Sequence, residues 1–196
     1  MAQLQQADIE KSVTIAAPRW ALLIAFGSLY AALAAASLFD LPSPDPIWLV
    51  KAVVLGGLLV VLSVEDVLNF RLPDWMTGML LLAGLSAAAL AGIDALLASA
   101  VSACAGFALL WLAGEAYRRV RNRDGLGFGD VKLLGAVGAW VGVWALPTVI
   151  LAATMTALAA SLAAVLRGRR LDGMSALPFG PFLALGTWIV WLYGHL

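Results

Sequence analysis

Seven stretches of the chain are mainly apolar and of a length suited to crossing a lipid bilayer as helices. Crossing the hydrocarbon core takes about 20 such residues. With 63% hydrophobic residues, 12% charged residues and a mean hydropathy of +0.95, the chain is too apolar for a water-soluble domain. The stretches lie near residues 20–39, 47–64, 75–92, 93–117, 131–145, 147–166 and 179–195. We predict an all-α polytopic membrane protein with about seven transmembrane helices, and six is the alternative count.

The chain divides into a short polar tail and one membrane domain. Residues 1–19 lack an apolar core, so we predict a cytoplasmic tail there and a transmembrane domain over residues 20–196. The stretch 20–39 is predicted to be an uncleaved span rather than a signal peptide, because it is long enough to cross and further spans follow it.

The positions of the basic residues predict the orientation of these spans. Lys and Arg near span ends normally stay in the cytoplasm. With seven spans, the clustered basic residues fall in three alternate loops on one side, and Lys51 is the exception near the other side. The clustered residues are Arg71, Arg118, Arg119, Arg121, Arg123, Lys132, Arg167, Arg169 and Arg170. We therefore expect the N-terminus in the cytoplasm and the C-terminus on the other side of the membrane.

Composition also bounds the partners and cofactors. The formal net charge is zero, and the basic clusters are explained by topology, so we expect the lipid bilayer and no nucleic acid as a partner. Cys104 is the single cysteine, which excludes an internal disulfide and a CxxC zinc site. We predict that Cys104 is a buried packing residue and that the protein holds no metal.

Two aspartates stand out because ionisable residues at membrane depth are costly and usually functional. Asp66, in VEDVLNFRLPDW, lies at the cytoplasmic end of the second span, and Asp130, in GLGFGDVKLL, lies at the cytoplasmic start of the fifth. Both are thus expected on one side and at one depth. Two neighbouring carboxylates share a proton. The ionised one can take a proton from attacking water while the protonated one hydrogen-bonds a substrate carbonyl. The pair predicts peptide hydrolysis without a metal.

The residues around Asp130 have their own predicted uses. Gly125, Gly127 and Gly129 allow extended or positive-φ backbone, against which an extended substrate could pair. Lys132 is interpreted as an anchoring lysine, with tuning of an acid as the alternative.

Structural interpretations of the acids remain open beside the catalytic one. Asp66 could cap a helix or pair with Arg71, and Asp130 could be the N-cap of the fifth span. Glu65 faces about 100° away from Asp66 on a helix and is predicted to be interfacial.

Three segments together resemble the type IV prepilin peptidases, membrane aspartic proteases with a GxGD motif. They are GFGDVKL at 127–133, DVLNFRLPDW at 66–75 with Pro73 seven residues after Asp66, and PFGPFLALG at 178–186. The resemblance covers roughly residues 50–196. It implies an enzyme that removes the leader peptide of prepilins or pseudopilins, in type IV pilus or type II secretion systems, at the cytoplasmic face. It also implies that Asp66 and Asp130 are catalytic, that Gly127 and Gly129 are motif glycines, and that no cofactor is needed.

The sequence departs from the bifunctional members of that family. Those carry paired CxxC motifs in a cytoplasmic segment associated with N-methylation, and residues 1–19 cannot hold such a segment. We therefore expect no methyltransferase activity.

Two other functions fit part of the pattern. Presenilin and signal-peptide-peptidase proteases share GxGD, but their other aspartate follows a tyrosine, whereas Glu65 precedes Asp66 here. A proton-coupled transporter would use acids staggered across the membrane, whereas these two are expected at one level.

Overall fold

Seven α-helices make up the part of the chain that the computed structural model describes, residues 18–38, 45–121, 127–167 and 178–194. Their bounds are α1 Arg19–Leu38, α2 Pro46–Asn69, α3 Asp74–Ala89, α4 Ile93–Arg121, α5 Phe128–Val141, α6 Leu146–Leu166 and α7 Gly180–Tyr193, with a single 3₁₀ turn at Val143–Ala145. These ranges contain no β-strand. The prediction of an all-α fold with about seven helices is confirmed, and most of the predicted tail lies outside the described residues.

The helices fall into two length classes. Four are long and apolar enough to cross a membrane: α1, α2, α4, and α6 together with the preceding 3₁₀ turn. The other three, α3, α5 and α7, have 16, 14 and 14 residues. At about 1.5 Å per residue, a 14-residue helix extends only about 21 Å. The chain is a multi-pass membrane protein in which long helices flank shorter ones.

Local signals set the ends of α2, which carries Asp66. The Asp45 carboxylate accepts a hydrogen bond from the Ile47 amide at 3.1 Å, and Pro46 occupies the first turn, where its missing N–H costs nothing. The helix runs to Asn69, five residues beyond the predicted span. Phe70 ends it in the left-handed region at φ 49°, and its amide bonds the Asp66 carbonyl. Asp66 therefore lies in the last turn of α2.

Small residues let α4 and α5 pack backbone to backbone. A Cβ at Gly138 would collide with the Ser102 carbonyl, and one at Gly106 would collide with the Leu134 carbonyl. The Ser99 hydroxyl adds a hydrogen bond to the Ala139 carbonyl at 2.5 Å. Close approach through small residues is the usual substitute for hydrophobic attraction between helices in lipid. The α4–α5 interface is the most extensive in the fold, and α5 also contacts α3 and α7.

We expect Gly138→Ala to lower the free energy of unfolding by about 1–3 kcal/mol, because the new methyl must push two helix backbones apart. The melting temperature in detergent measures the effect. Gly57→Ala is the matched control, since a Cβ there meets no atom within 4 Å. A Gly138→Ala protein that melts at or above the wild-type temperature would contradict this packing.

An aromatic cluster joins α7 to the first two helices. Trp188 stacks on Tyr30 and Trp191, and Trp48 stacks on Trp191, with ring centroids 5.4–5.7 Å apart. The Trp188 indole N–H also donates to the Tyr30 carbonyl at 3.0 Å. Trp48 and Trp191 are thus half-buried packing residues, although they lie near helix ends, where tryptophans often belong to the interfacial belt of a membrane protein. Trp144 is 93% exposed, as that belt requires.

The prediction that Cys104 is buried is wrong. Its side chain is exposed on α4 instead of buried. The sequence of an apolar membrane helix does not show which residues face lipid and which face other helices, because lipid tails are as apolar as the protein core.

Candidate active site

Asp66 and Asp130 line one cavity of about 320 Å³ at the end of the bundle where α2 finishes and α5 begins. Both residues are buried, with 6% and 9% of their surface exposed. The cavity is also lined by Phe70, Leu72, Gly127 and Phe128. The two acids therefore lie on different helices but at the same depth in the bundle, as expected from the sequence.

The Asp66 carboxylate is held by the first residue of α7. The Gly180 amide donates to Asp66 Oδ2 at 2.9 Å. A Cβ at position 180 would lie 2.6 Å from that same oxygen, so the contact requires glycine. The amide is one of the four at a helix N-terminus that have no partner within the helix, and the helix dipole there favours negative charge. Among the described residues Asp66 forms no ion pair, so pairing with Arg71 is not its structural role.

Asp130 lies in the first turn of α5, three residues after the N-cap. Gly127 is the N-cap, and no side chain caps the helix. The alternative interpretation of Asp130 as the N-cap of this helix is therefore excluded. The Asp130 amide donates a hydrogen bond to the Gly127 carbonyl at 3.1 Å. The Asp130 carboxylate lines the cavity and has no hydrogen-bond partner among the described residues.

The two motif glycines serve different purposes. Gly127 is extended at φ −68° and ψ 134°, and a Cβ there would lie 3.3 Å from Asp130 Oδ2. Gly129 is helical, and its Cβ would lie 3.2 Å from the Leu72 Cβ. Glycine thus permits close approach at both positions. Of the two backbone conformations expected, Gly127 has the extended one, and neither glycine has a positive φ. Gly125 lies outside the described residues.

Lys132 joins α5 to the start of α3. Its ammonium donates to Asp74 Oδ1 at 2.6 Å and lies 4.8 Å from the centre of the Phe128 ring. Pro73 is the N-cap of α3 and places Asp74 in the first turn. The interpretation of Lys132 as an anchor thus gains a specific partner, an acid other than Asp66 and Asp130.

Glu65 differs from its predicted interfacial position. It is 9% exposed, pairs with Arg19 at the start of α1, and accepts a hydrogen bond from the Asn69 amide group at 2.6 Å. These contacts hold the end of α2, and hence the backbone of Asp66, against α1.

The described residues contain no group of three or more His, Cys, Asp or Glu side chains placed to hold a metal ion. The arrangement offers two carboxylates, one backbone donor and a small cavity. That set can polarise a water molecule and bind a carbonyl oxygen.

Comparison with known proteins identifies the family. Residues 53–162 match the model of the type IV leader peptidase family. The chain belongs to this family. The matched segment contains Asp66 and Asp130, and it ends before Gly180.

Curated relatives agree with that assignment. The "Prepilin leader peptidase/N-methyltransferase" of Aeromonas hydrophila is 36% identical over 143 residues, which cover 73% of this chain and 49% of that protein. The protein of the same name from Burkholderia pseudomallei (strain K96243) is 41% identical over 128 residues, or 65% and 41% of the two chains. The one from Dichelobacter nodosus is 35% identical over 150 residues, or 76% and 51%. The chain spans about half the length of these relatives. No solved structure matches it significantly.

Sequence reasoning found both acids and missed Gly180. The signal for Gly180 was present in PFGPF, where Gly–Pro before an apolar run predicts a helix start with free amides. Nothing in the sequence paired that helix start with Asp66, 114 residues earlier.

Proposed function

We propose that this chain is a membrane-embedded aspartic endopeptidase that cleaves the leader peptide of type IV prepilins or pseudopilins. The observation that carries the proposal is the shared cavity of Asp66 and Asp130, two buried carboxylates from different helices. Family membership supports the choice of a leader peptidase over a presenilin-type protease.

The two acids take different roles in this mechanism. Asp66, which accepts the Gly180 N–H, is the ionised base that removes a proton from the attacking water. Asp130, whose carboxyl has no hydrogen-bond partner among the described residues, is the protonated acid that donates to the scissile carbonyl. As the tetrahedral intermediate collapses, the proton gained by Asp66 passes to the leaving amine. Asp130 regains its proton from a hydroxyl of the intermediate as the carbonyl re-forms, so the pair ends each turnover in its starting protonation state. The cycle as proposed uses no metal or cofactor.

The proposed location is the bacterial inner membrane, with residues 1–19 as a cytoplasmic tail and the acid cavity facing the cytoplasm. The arginines near the ends of α4 and α6 support this orientation. On that face, the leader would be cleaved while the substrate is still in the membrane.

Purified protein in detergent, mixed with a prepilin reporter, tests the proposal. We expect cleavage at the leader boundary that persists in a metal chelator and disappears in the double variant Asp66→Asn/Asp130→Asn. Mass spectrometry of the two products identifies the bond. If the protein cuts no prepilin or pseudopilin reporter, and a proton flux in liposomes depends on Asp66 and Asp130, the protein is a transporter and not a peptidase.

A further inference from the structure

A second cavity, of about 510 Å³, lies between α3, α4 and α5. We call it the α3–α5 groove. Thr77 and Gly78 line it from α3, Cys104 and Phe107 from α4, and Gly135 and Ala136 from α5. Its wall is mainly apolar, and Cys104 and Phe107 are both exposed, so the groove opens on the outside of the bundle. In a multi-pass membrane protein, that side faces lipid.

The groove lies next to the acid cavity and shares two lining residues with it. Lys132 and Asp74 line both spaces, and their ion pair stands at the junction. Asp130 and Gly135 lie on one helix, about 8 Å apart along its axis. A segment that leaves the acids along α5 therefore enters the groove within about five helical residues.

The groove has room that this chain does not use. A Cβ added at Gly78 would meet no atom within 4 Å, although Met76 and Leu80 on the same helix are buried. Gly135, in contrast, is glycine because Phe107 lies 3.1 Å from its ideal Cβ. Gly78 thus leaves open space in the groove, and no described atom lies within 4 Å of its ideal Cβ position.

We propose that the α3–α5 groove holds the apolar helical segment of the substrate that follows the cleaved bond. The inference rests on the proposed function and adds where the substrate's membrane segment binds. The resemblance to prepilin peptidases implies a substrate in which a hydrophobic helix follows the cleaved bond directly. Such a substrate must pass from lipid to the acids, and the groove is apolar, opens on the outside of the bundle and shares Asp74 and Lys132 with the acid cavity. The Lys132–Asp74 pair then lies beside the substrate backbone at the point where it changes from extended to helical.

Cys104 provides the direct test, because it is the single cysteine of the chain and lines the groove. The double variant Asp66→Asn/Asp130→Asn is mixed with reporters that each carry one cysteine within about twelve residues after the cleaved bond, and a short thiol cross-linker is added. We expect cross-linking to peak about four to eight residues after the bond, on one helical face. Reporters with the cysteine in the leader should not react.

A groove-filling variant gives an independent readout. Gly78→Leu should raise the KM for a full-length reporter about 10-fold, with little effect on a peptide that ends before the apolar segment. Gly57→Leu is the matched control, since Gly57 also has open space but lines a separate groove between α1 and α2. Both substitutions place a good helix former in a helix, so folding should be retained.

The outcomes separate the inference from the proposed function. If the wild type cleaves the reporter but Cys104 reacts with no position, or with all positions equally, and Gly78→Leu leaves KM unchanged, the groove is occupied by lipid alone and the inference fails. If no reporter is cleaved, the proposed function fails and the inference falls with it.

Discussion

Asp130→Asn is expected to cleave a prepilin reporter about 10³-fold or more slowly than the wild type, and Asp66→Asn is expected to do the same. Asparagine keeps the size of the side chain and can still occupy the cavity, but it cannot exchange a proton with water or substrate. Because the two acids form one proton-sharing unit, the double variant should be no slower than either single variant. Initial rates of cleavage in detergent, at saturating reporter, measure all three.

The control for these variants is Asp94→Asn. Asp94 is exposed in the first turn of α4, at the opposite end of that helix from its arginine-rich last turn. The Asp94→Asn substitution should therefore leave the cleavage rate unchanged. The melting temperatures of the active-site variants should stay close to that of the wild type, since asparagine keeps the size of the side chain and the packing around it. Near-normal cleavage by either single variant would exclude a paired-acid mechanism.

Gly180→Ala is expected to lower kcat by about 10²-fold while leaving KM and the melting temperature nearly unchanged. The new methyl would lie 2.6 Å from Asp66 Oδ2, so the carboxylate must rotate into the cavity and away from the Gly180 amide. A misplacement of about 1 Å at a reacting group can cost this much in rate. Steady-state kinetics with the same reporter give the two constants separately.

Gly57→Ala serves as the matched control for Gly180→Ala, because both add one methyl to a helix and only the latter meets a neighbour. A Gly180→Ala enzyme with wild-type kcat would show that the Gly180–Asp66 contact does not position the base. A variant that lost its fold would show a lowered melting temperature, which is why both readouts are taken on the same preparation.

Much of the site could be predicted because a membrane restricts the alternatives. Once the spans and the basic loops set the direction of each helix, Asp66 and Asp130 had to lie on one side. The depth followed from their places at span ends. No packing information was needed for either step.

The remaining site contacts depend on tertiary packing that sequence periodicity does not encode. Glu65 was expected at the interface because it points away from Asp66, yet Arg19 from α1 covers that other side. Cys104 was expected inside because it is apolar, although lipid accepts the same residues as the core. Gly180 contributes a backbone N–H, a group that every residue except proline has, so its identity alone could not signal a ligand of Asp66.

The contact between Asp66 and Gly180 also imposes an order on biogenesis. The ribosome completes α2 and α5 well before α7, so both acids are inserted while the donor that holds one of them does not yet exist. Only when α7 has entered the bilayer and docked does the Asp66 carboxylate acquire the orientation set by the Gly180 amide. A chain in which α7 has not yet docked therefore lacks the contact that orients the proposed base.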